Sequence, residues 1–180
     1  MKLINIEKIK EAIERLNGVI AYNKLAFAPR LSKIANAQVF LKKENLQLTG
    51  AFKIRGAFNK LSSLKMEDEK NGTNILNRGV ICSSAGNHAQ GVAFSSRHFG
   101  VRAVIVMPES TPLLKVSGTR EMGAEVVLAG NNYDEAYAEA LKIAKEQNLN
   151  FIHPFADADV IAGQGTIALE MIEEENLDIV

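Results

Sequence analysis

Apolar residues recur along this chain with two periods. Over residues 5–16, Ile6, Ile9, Ile13 and Leu16 fall on one side of a helical wheel, while Lys8, Glu11, Glu14 and Arg15 occupy the other. That spacing predicts an amphipathic helix. A polar, turn-rich connection containing Pro29 follows, then a short strand at Val39-Phe40-Leu41. Residues 49–64 read as a helix entered through Thr49 and Gly50. The charged run over 65–77, with Lys65, Glu67, Asp68, Glu69 and Lys70 before Asn71-Gly72, reads as its end and a surface loop.

Beyond Gly79 short apolar runs alternate with helical patterns. Strands are predicted over 80–83, 103–107, 125–128 and 151–153, with helices over 86–99, 113–122, 132–147 and 160–174. In the helix over 132–147, Tyr133, Tyr137, Leu141 and Ala144 share a face. Alternation of this kind implies an α/β fold, a parallel sheet with helices on both faces and right-handed crossovers. Asp178, Ile179 and Val180 begin a further strand. A half-made buried strand leaves backbone groups without partners, so the chain is expected to be part of a longer protein.

Composition narrows the function classes. The 180 residues suffice for one ordinary domain, and 47 % apolar residues supply a core. Lys plus Arg equal Asp plus Glu at 21 each, so no net charge draws the chain to nucleic acid or an anionic membrane. Cys82 is the single cysteine, which excludes an intrachain disulfide and fits a reducing compartment. The first residues are mixed and charged, unlike a signal peptide, and no apolar stretch is long enough to span a bilayer. The expectation is a cytoplasmic protein with neither nucleic-acid nor membrane partners. No metal site is expected, since Cys82 and His88 match no zinc spacing. Cys82 reads as a small buried hydrophobe, His98 as a residue meeting a helix C-terminus, and His153 as structural.

Two segments carry candidate chemistry. In Thr49-Gly50-Ala51-Phe52-Lys53-Ile54-Arg55-Gly56-Ala57, Lys53 stands in the first turns of a helix between two apolar side chains. Both settings disfavour the charged amine and favour the neutral nucleophile that attacks a carbonyl. A surface lysine laying its stem over apolar neighbours accounts equally for the isolated residue. In Cys82-Ser83-Ser84-Ala85-Gly86-Asn87-His88-Ala89-Gln90-Gly91, a strand gives way to a helix through small residues. Backbone N–H groups there can approach an anion such as a carboxylate, and Asn87 can both donate and accept. An ordinary turn with a serine N-cap is the competing account. Gly163-Gln164-Gly165-Thr166 resembles a phosphate loop superficially, but glycines at a helix start also permit close packing.

Taken together, the two segments resemble the pyridoxal-phosphate enzymes of the tryptophan synthase β fold, and within them the threonine/serine dehydratase family. Val106-Met107-Pro108-Glu109, Thr119-Arg120-Glu121-Met122-Gly123-Ala124-Glu125-Val126 and Ile161-Ala162-Gly163-Gln164-Gly165-Thr166 agree as well, in the family's order, from about residue 4 to the end. The resemblance implies pyridoxal 5'-phosphate as cofactor and a small amino acid as substrate. It implies that Lys53 carries the cofactor as a Schiff base and then removes the substrate's α-hydrogen. Phe52 would pack on the cofactor ring and Asn87 would bond its 3′-oxygen. Ser84, Ala85, Gly86, Asn87 and His88 would hold the substrate carboxylate. The implied reaction is dehydration and deamination of L-threonine to 2-oxobutanoate and ammonia, and of L-serine to pyruvate.

The resemblance also implies two lobes, a small one over 49–150 and a larger one built from 1–48, 151–180 and further chain, with a homo-oligomer in the full-length protein. The family's phosphate-binding glycine run would follow Val180, so the 180-residue chain alone is expected to be inactive. Ala51 stands where many members have serine, and Ala156 where many have Asp or Asn after His153-Pro154-Phe155; neither touches the lysine. Related serine racemases carry a serine at the place of Ala85, and alanine cannot move a proton, which favours elimination over racemisation. A serine-preferring dehydratase, a racemase, threonine synthase and an inactive fragment remain as alternatives. A Rossmann module lacks its Gly-x-Gly-x-x-Gly turn here.

Overall fold

The computed structural model describes residues 4–175, and the strand expected at 178–180 lies outside the described residues. The first helix, α1 (Ile6–Leu16), is capped by Asn5, whose side chain accepts the Lys8 N–H, and it buries Ala12 and Leu16. The Pro29 connection is more ordered than its polarity suggests. It holds β1 (Ala26–Phe27) and the seven-residue helix α2 (Pro29–Ala35), which starts on the proline and ends at Asn36 in the left-handed region (φ 50°). Proline fits a first helical position because it has no N–H to leave unpaired. No residue of α2 is buried, so no amphipathic pattern announced it. β1 pairs antiparallel with β2 (Phe40–Leu41).

The helix expected over 49–64 is displaced at both ends. It is α3 (Lys53–Asn71), preceded by a 3-10 turn at Glu44–Leu46 and a tight turn at Gly50 (φ 69°). The charged run over 65–70 stays helical; Lys65 and Glu69 pair one turn apart on its solvent side. The helix ends at Gly72 in the left-handed region. The Asp68 carboxylate then accepts from Thr73 Oγ1 and the N–H groups of Ile75 and Leu76, tying the following turn back onto α3.

The sheet bears out the expected α/β class. Four parallel strands lie in the order β5-β4-β3-β6: β3 (Val80–Ser83), β4 (Ala103–Met107), β5 (Glu125–Leu128) and β6 (Asn150–Phe151). Strands β3, β4 and β5 occupy the expected residues; β6 starts one residue earlier than expected and ends at Phe151. Every residue of β3 and β4 is buried, as strands covered on both faces require. Val80, Cys82, Ile105 and Met107 face one core with residues of α3, α4 (Asn87–Phe99) and α5 (Leu113–Glu121). Ile81, Val104 and Val106 face the other, closed by Ala136, Ala140 and Ile143 of α6 (Tyr133–Glu146).

The last described helix, α7 (Ala158–Glu175), packs on α3 and α1. Gly163 lies inside it, not at its start, and the close-packing account holds. A Cβ on Gly163 would stand 2.5 Å from the Arg55 carbonyl oxygen, and one on Gly56 would stand 2.7 Å from that of Val160. The two helices therefore touch backbone to backbone. Among the described residues no helix is long and apolar enough to cross a membrane.

Candidate active site

Lys53 is the first residue of α3, and its Nζ donates to the carbonyl oxygen of Pro154 at 2.8 Å. Burial pushes its pKa below the ordinary lysine value, the direction expected for it, and no carboxylate acts against that shift. The other enclosed lysines behave oppositely. Burial disfavours the Lys42 ammonium too, but Glu174 at 2.6 Å and Glu170 at 3.0 Å outweigh it and raise the pKa. Asp157 and Asp159 do the same for Lys60. Lys53 is thus an enclosed amine whose surroundings favour the neutral form. The ring of Phe52, itself partly exposed, lies 5.5 Å from the amine.

The second segment leaves the carboxyl end of β3. Ser84 Oγ accepts the Gly86 N–H at 3.2 Å, and Gly86 stands extended (φ −147°, ψ −144°) at the N-cap of α4. The serine N-cap of the competing account is not formed, since no side chain caps this helix. A Cβ on Gly86 would meet nothing within 4 Å, so the first turn of α4 opens onto free space. Asn87, its first residue, is exposed. Unpaired N–H groups and the positive end of the helix dipole make this a seat for an anion. Ala85 is half-buried against the core and offers no titratable group.

His88 is turned inward. Its imidazole is 3 % exposed, with Nε2 3.0 Å from the carbonyl oxygen of Ile152. A carbonyl only accepts, so the proton sits on Nε2 and Nδ1 is bare, without a partner among the described residues. Burial lowers its pKa to about 4, against the Ile152 carbonyl, which raises it; the charges of Lys53 and His153 lower it further. Of His88, only the main chain is left to the loop.

Four features bring the two segments together. β3 and β6 are parallel neighbours, so the 84–88 loop and the 152–154 stretch leave the same edge of the sheet. From β3 the chain proceeds to β4 on one side, while β6 lies on the other; such a reversal opens a crevice at the carboxyl ends of strands. The 152–154 stretch holds both segments, with Ile152 accepting from His88 and Pro154 from Lys53. Finally, α4 rests directly on the start of α3, since a Cβ on Gly91 would lie 3.0 Å from the Lys53 carbonyl oxygen.

Sequence reasoning missed the carbonyls of Ile152 and Pro154. Every residue carries the same main-chain acceptor, so no side-chain signal marked them. His153 does serve a turn, with Nδ1 accepting the N–H groups of Phe155 and Ala156. Cys82 is fully buried and burial drives its thiol pKa far up. His98 lies in the last turn of α4, edge-on to Phe58 and Phe99. Among the described residues no three His, Cys, Asp or Glu side chains are grouped to hold a metal ion.

Comparison with known proteins places this geometry. The L-threonine ammonia-lyase of Thermotoga maritima is 49 % identical over 172 residues, covering 96 % of this chain and 41 % of that protein. The chain therefore spans about two fifths of that relative's length. The processed form of threonine deaminase isoform 2 from Solanum lycopersicum superposes with a TM-score of 0.82 at 36 % identity, over 94 % of this chain and 46 % of that one. The serine racemase of Dictyostelium discoideum superposes with a TM-score of 0.87 at 34 % identity, over 97 % and 55 % respectively. Over residues 16–180, nearly its whole length, the chain belongs to the family of pyridoxal-phosphate dependent enzymes.

Proposed function

We propose that the protein containing this chain is a pyridoxal-phosphate-dependent threonine ammonia-lyase, converting L-threonine to 2-oxobutanoate and ammonia and accepting L-serine as a second substrate. The observation that carries the reading is the contrast among the enclosed lysines. Lys42 and Lys60 are paired with carboxylates, and Lys53 is left with one carbonyl and a lowered pKa, beside an open helix N-terminus.

The residues fit the cofactor. An enclosed, carboxylate-free amine suits an aldehyde, and the space in front of Gly86 leaves room for a ligand. Lys53 would hold the cofactor through Nζ, with Phe52 against its ring and Asn87 near its oxygen. Bound there, the cofactor supplies an electron sink for the pair left behind at an amino acid's α-carbon. The 84–88 loop would orient the substrate carboxylate on the N–H groups opening α4. Freed when the substrate's own amine takes its place on the cofactor, neutral Lys53 Nζ would take the proton from the α-carbon, and that proton would leave with the β-hydroxyl as water; hydrolysis of the released enamine would then give the 2-oxo acid and ammonia. Ala85 has no proton to give or take, so this loop position cannot serve the opposite face of the substrate.

Serine racemase is the second reading, favoured by the backbone likeness to the Dictyostelium enzyme; the alanine at position 85 speaks against it. The reading includes the small lobe over 49–150, a larger lobe containing 1–48 and 151–180, a homo-oligomeric full-length enzyme, and a cytoplasmic location without nucleic-acid partners. The packing of α1 and α7 on each other and on α3 supports the two-lobe division. The test is the full-length protein given L-threonine or L-serine, with 2-oxo acid measured and the remaining serine checked for D-isomer. Borohydride reduction and peptide mapping then locate the labelled side chain. The expected result is 2-oxobutanoate, no D-serine, label on Lys53, and loss of activity and visible absorbance in Lys53→Ala. Label on another residue, or turnover by Lys53→Ala, overturns the assignment.

A further inference from the structure

Arg55 stands two residues after Lys53 and is completely buried. All five of its N–H bonds find acceptors. Nε and Nη2 donate to the two carboxylate oxygens of Glu44, each at 2.8 Å. Nη1 and Nη2 donate to those of Glu170 at 2.5 and 3.0 Å, and the remaining Nη1 hydrogen meets Thr166 Oγ1 at 3.0 Å. Two bidentate carboxylates and a hydroxyl exhaust the planar fork, a geometry that a lysine cannot reproduce. Glu44 belongs to the 3-10 turn before α3, and Glu170 and Thr166 belong to α7. Lys42 closes the cluster by sharing Glu170 with Arg55 and pairing with Glu174 as well.

Stability alone does not explain such a cluster, because well-packed apolar side chains often do as well as a buried ion group. What an ion group adds is a fixed geometry. The first turn of α3 needs one: Phe52, at its N-cap, contributes no side-chain hydrogen bond, so no cap fixes the helix end, which has only its packing on α4 and the Lys53–Pro154 contact. The Gly56–Gly163 crossing lets α3 and α7 close up, and the guanidinium locks them in register at that point.

We propose that Arg55 is a positioning residue, which through Glu44 and Glu170 fixes the first turn of α3 and thereby the place of the Lys53 amine opposite the Pro154 carbonyl. The proposal rests on the reading of Lys53 as the residue that holds the cofactor. In the full-length enzyme, Arg55→Lys loses the fork and releases that turn. Its kcat is expected to fall about tenfold or more, with KM held within about threefold. In the cofactor-free full-length protein the pH midpoint of Lys53 acylation should rise by about half a unit, as a less confined amine returns toward its ordinary basicity.

The combined variant Glu44→Leu/Arg55→Met/Glu170→Leu removes the charges together and is expected to fold, showing the same lowered kcat and shifted midpoint at near-normal melting temperature. Glu170→Gln, which keeps the volume and one acceptor, reads the same two quantities if the combined variant does not fold. An unchanged midpoint and kcat in a folded variant, with only melting affected, makes the cluster a brace and overturns the proposal. Borohydride labelling of the unsubstituted enzyme separates the two failures. Label away from Lys53 sinks the site reading itself, whereas label on Lys53 with an unmoved midpoint in the variants sinks only the role of Arg55.

Discussion

The Lys53 amine and the Pro154 carbonyl oxygen stand 2.8 Å apart across 101 positions of sequence. This contact gives the amine a hydrogen-bond partner without giving it a counter-charge, and burial then keeps its pKa low. In the cofactor-free full-length protein at about pH 8, an amine-acylating reagent should therefore modify Lys53 ahead of Lys42 and Lys60, both of which are held protonated by carboxylates. Peptide mass spectrometry at short reaction times gives the order. Lys42 or Lys60 modified first would contradict this order of charge states.

His88 links stability to pH with an unusual sign. Its folded pKa of about 4 lies below the ordinary 6.5, so the unfolded chain binds a proton that the folded chain refuses. Stability should fall as pH drops from about 6.5 to about 4, by roughly 3 kcal/mol in all, and that loss should level off below. Glu174 acts in a lower window. Burial opposes its charge, but Lys42, the Leu25 N–H and Tyr22 bring its pKa down to about 2, so its contribution is lost only as pH falls through the carboxylate range. Urea unfolding of the protein and of His88→Gln between about pH 7 and pH 5 isolates the histidine. The variant should lose most of the slope; parallel curves would rule the histidine out as its source.

The glycines of α7 and α5 predict opposite signs for one substitution. At Gly163 a methyl group would press on the Arg55 carbonyl and the Gly56 Cα, at 2.5 and 2.8 Å. Gly163→Ala should destabilise by about 1–3 kcal/mol through forced separation of α3 and α7. At Gly118, inside α5, it would meet nothing within 4 Å. Gly118→Ala should stabilise by about 0.5–1 kcal/mol, because alanine has less backbone freedom to lose. Thermal melts of the two variants check both signs, and a neutral Gly163→Ala would mean that the helices can slide apart freely.

Cys82 should be silent in the folded protein. It is wholly buried in β3 with its thiol pKa pushed far up, so little thiolate forms and no reagent reaches it. A disulfide-exchange reagent is expected to react only at the rate of unfolding. Reaction within seconds under native conditions would show that the strand opens locally.

The sheet was readable in the sequence because it is covered on both faces. β4 appears as an unbroken apolar run and β3 as one up to Ser83, and β3, β4 and β5 stand at the expected residues. The elements that escaped lack such a signature: α2 buries nothing, and the end of α3 is charged on a solvent side where local pairing supports the helix. The site was half legible. Lys53 and the 84–88 loop stood out by residue type and order. Their joining through the carbonyls of Ile152 and Pro154, and the inward turn of His88, could not be read.

The sequence by itself determined the α/β class, the strands of the parallel sheet, and which amine and which helix entrance are chemically suited to a carbonyl cofactor and a carboxylate. Side-chain chemistry and local periodicity are properties of neighbouring residues, so they are written along the chain. Only the tertiary structure decided that Lys53 has a carbonyl for a partner where Lys42 and Lys60 have carboxylates, and that Arg55 is saturated by Glu44, Glu170 and Thr166. Charge state depends on distance and burial, and both are set in large part by residues such as Pro154 and Glu170, more than a hundred positions away, that folding brings within 3 Å of the two side chains.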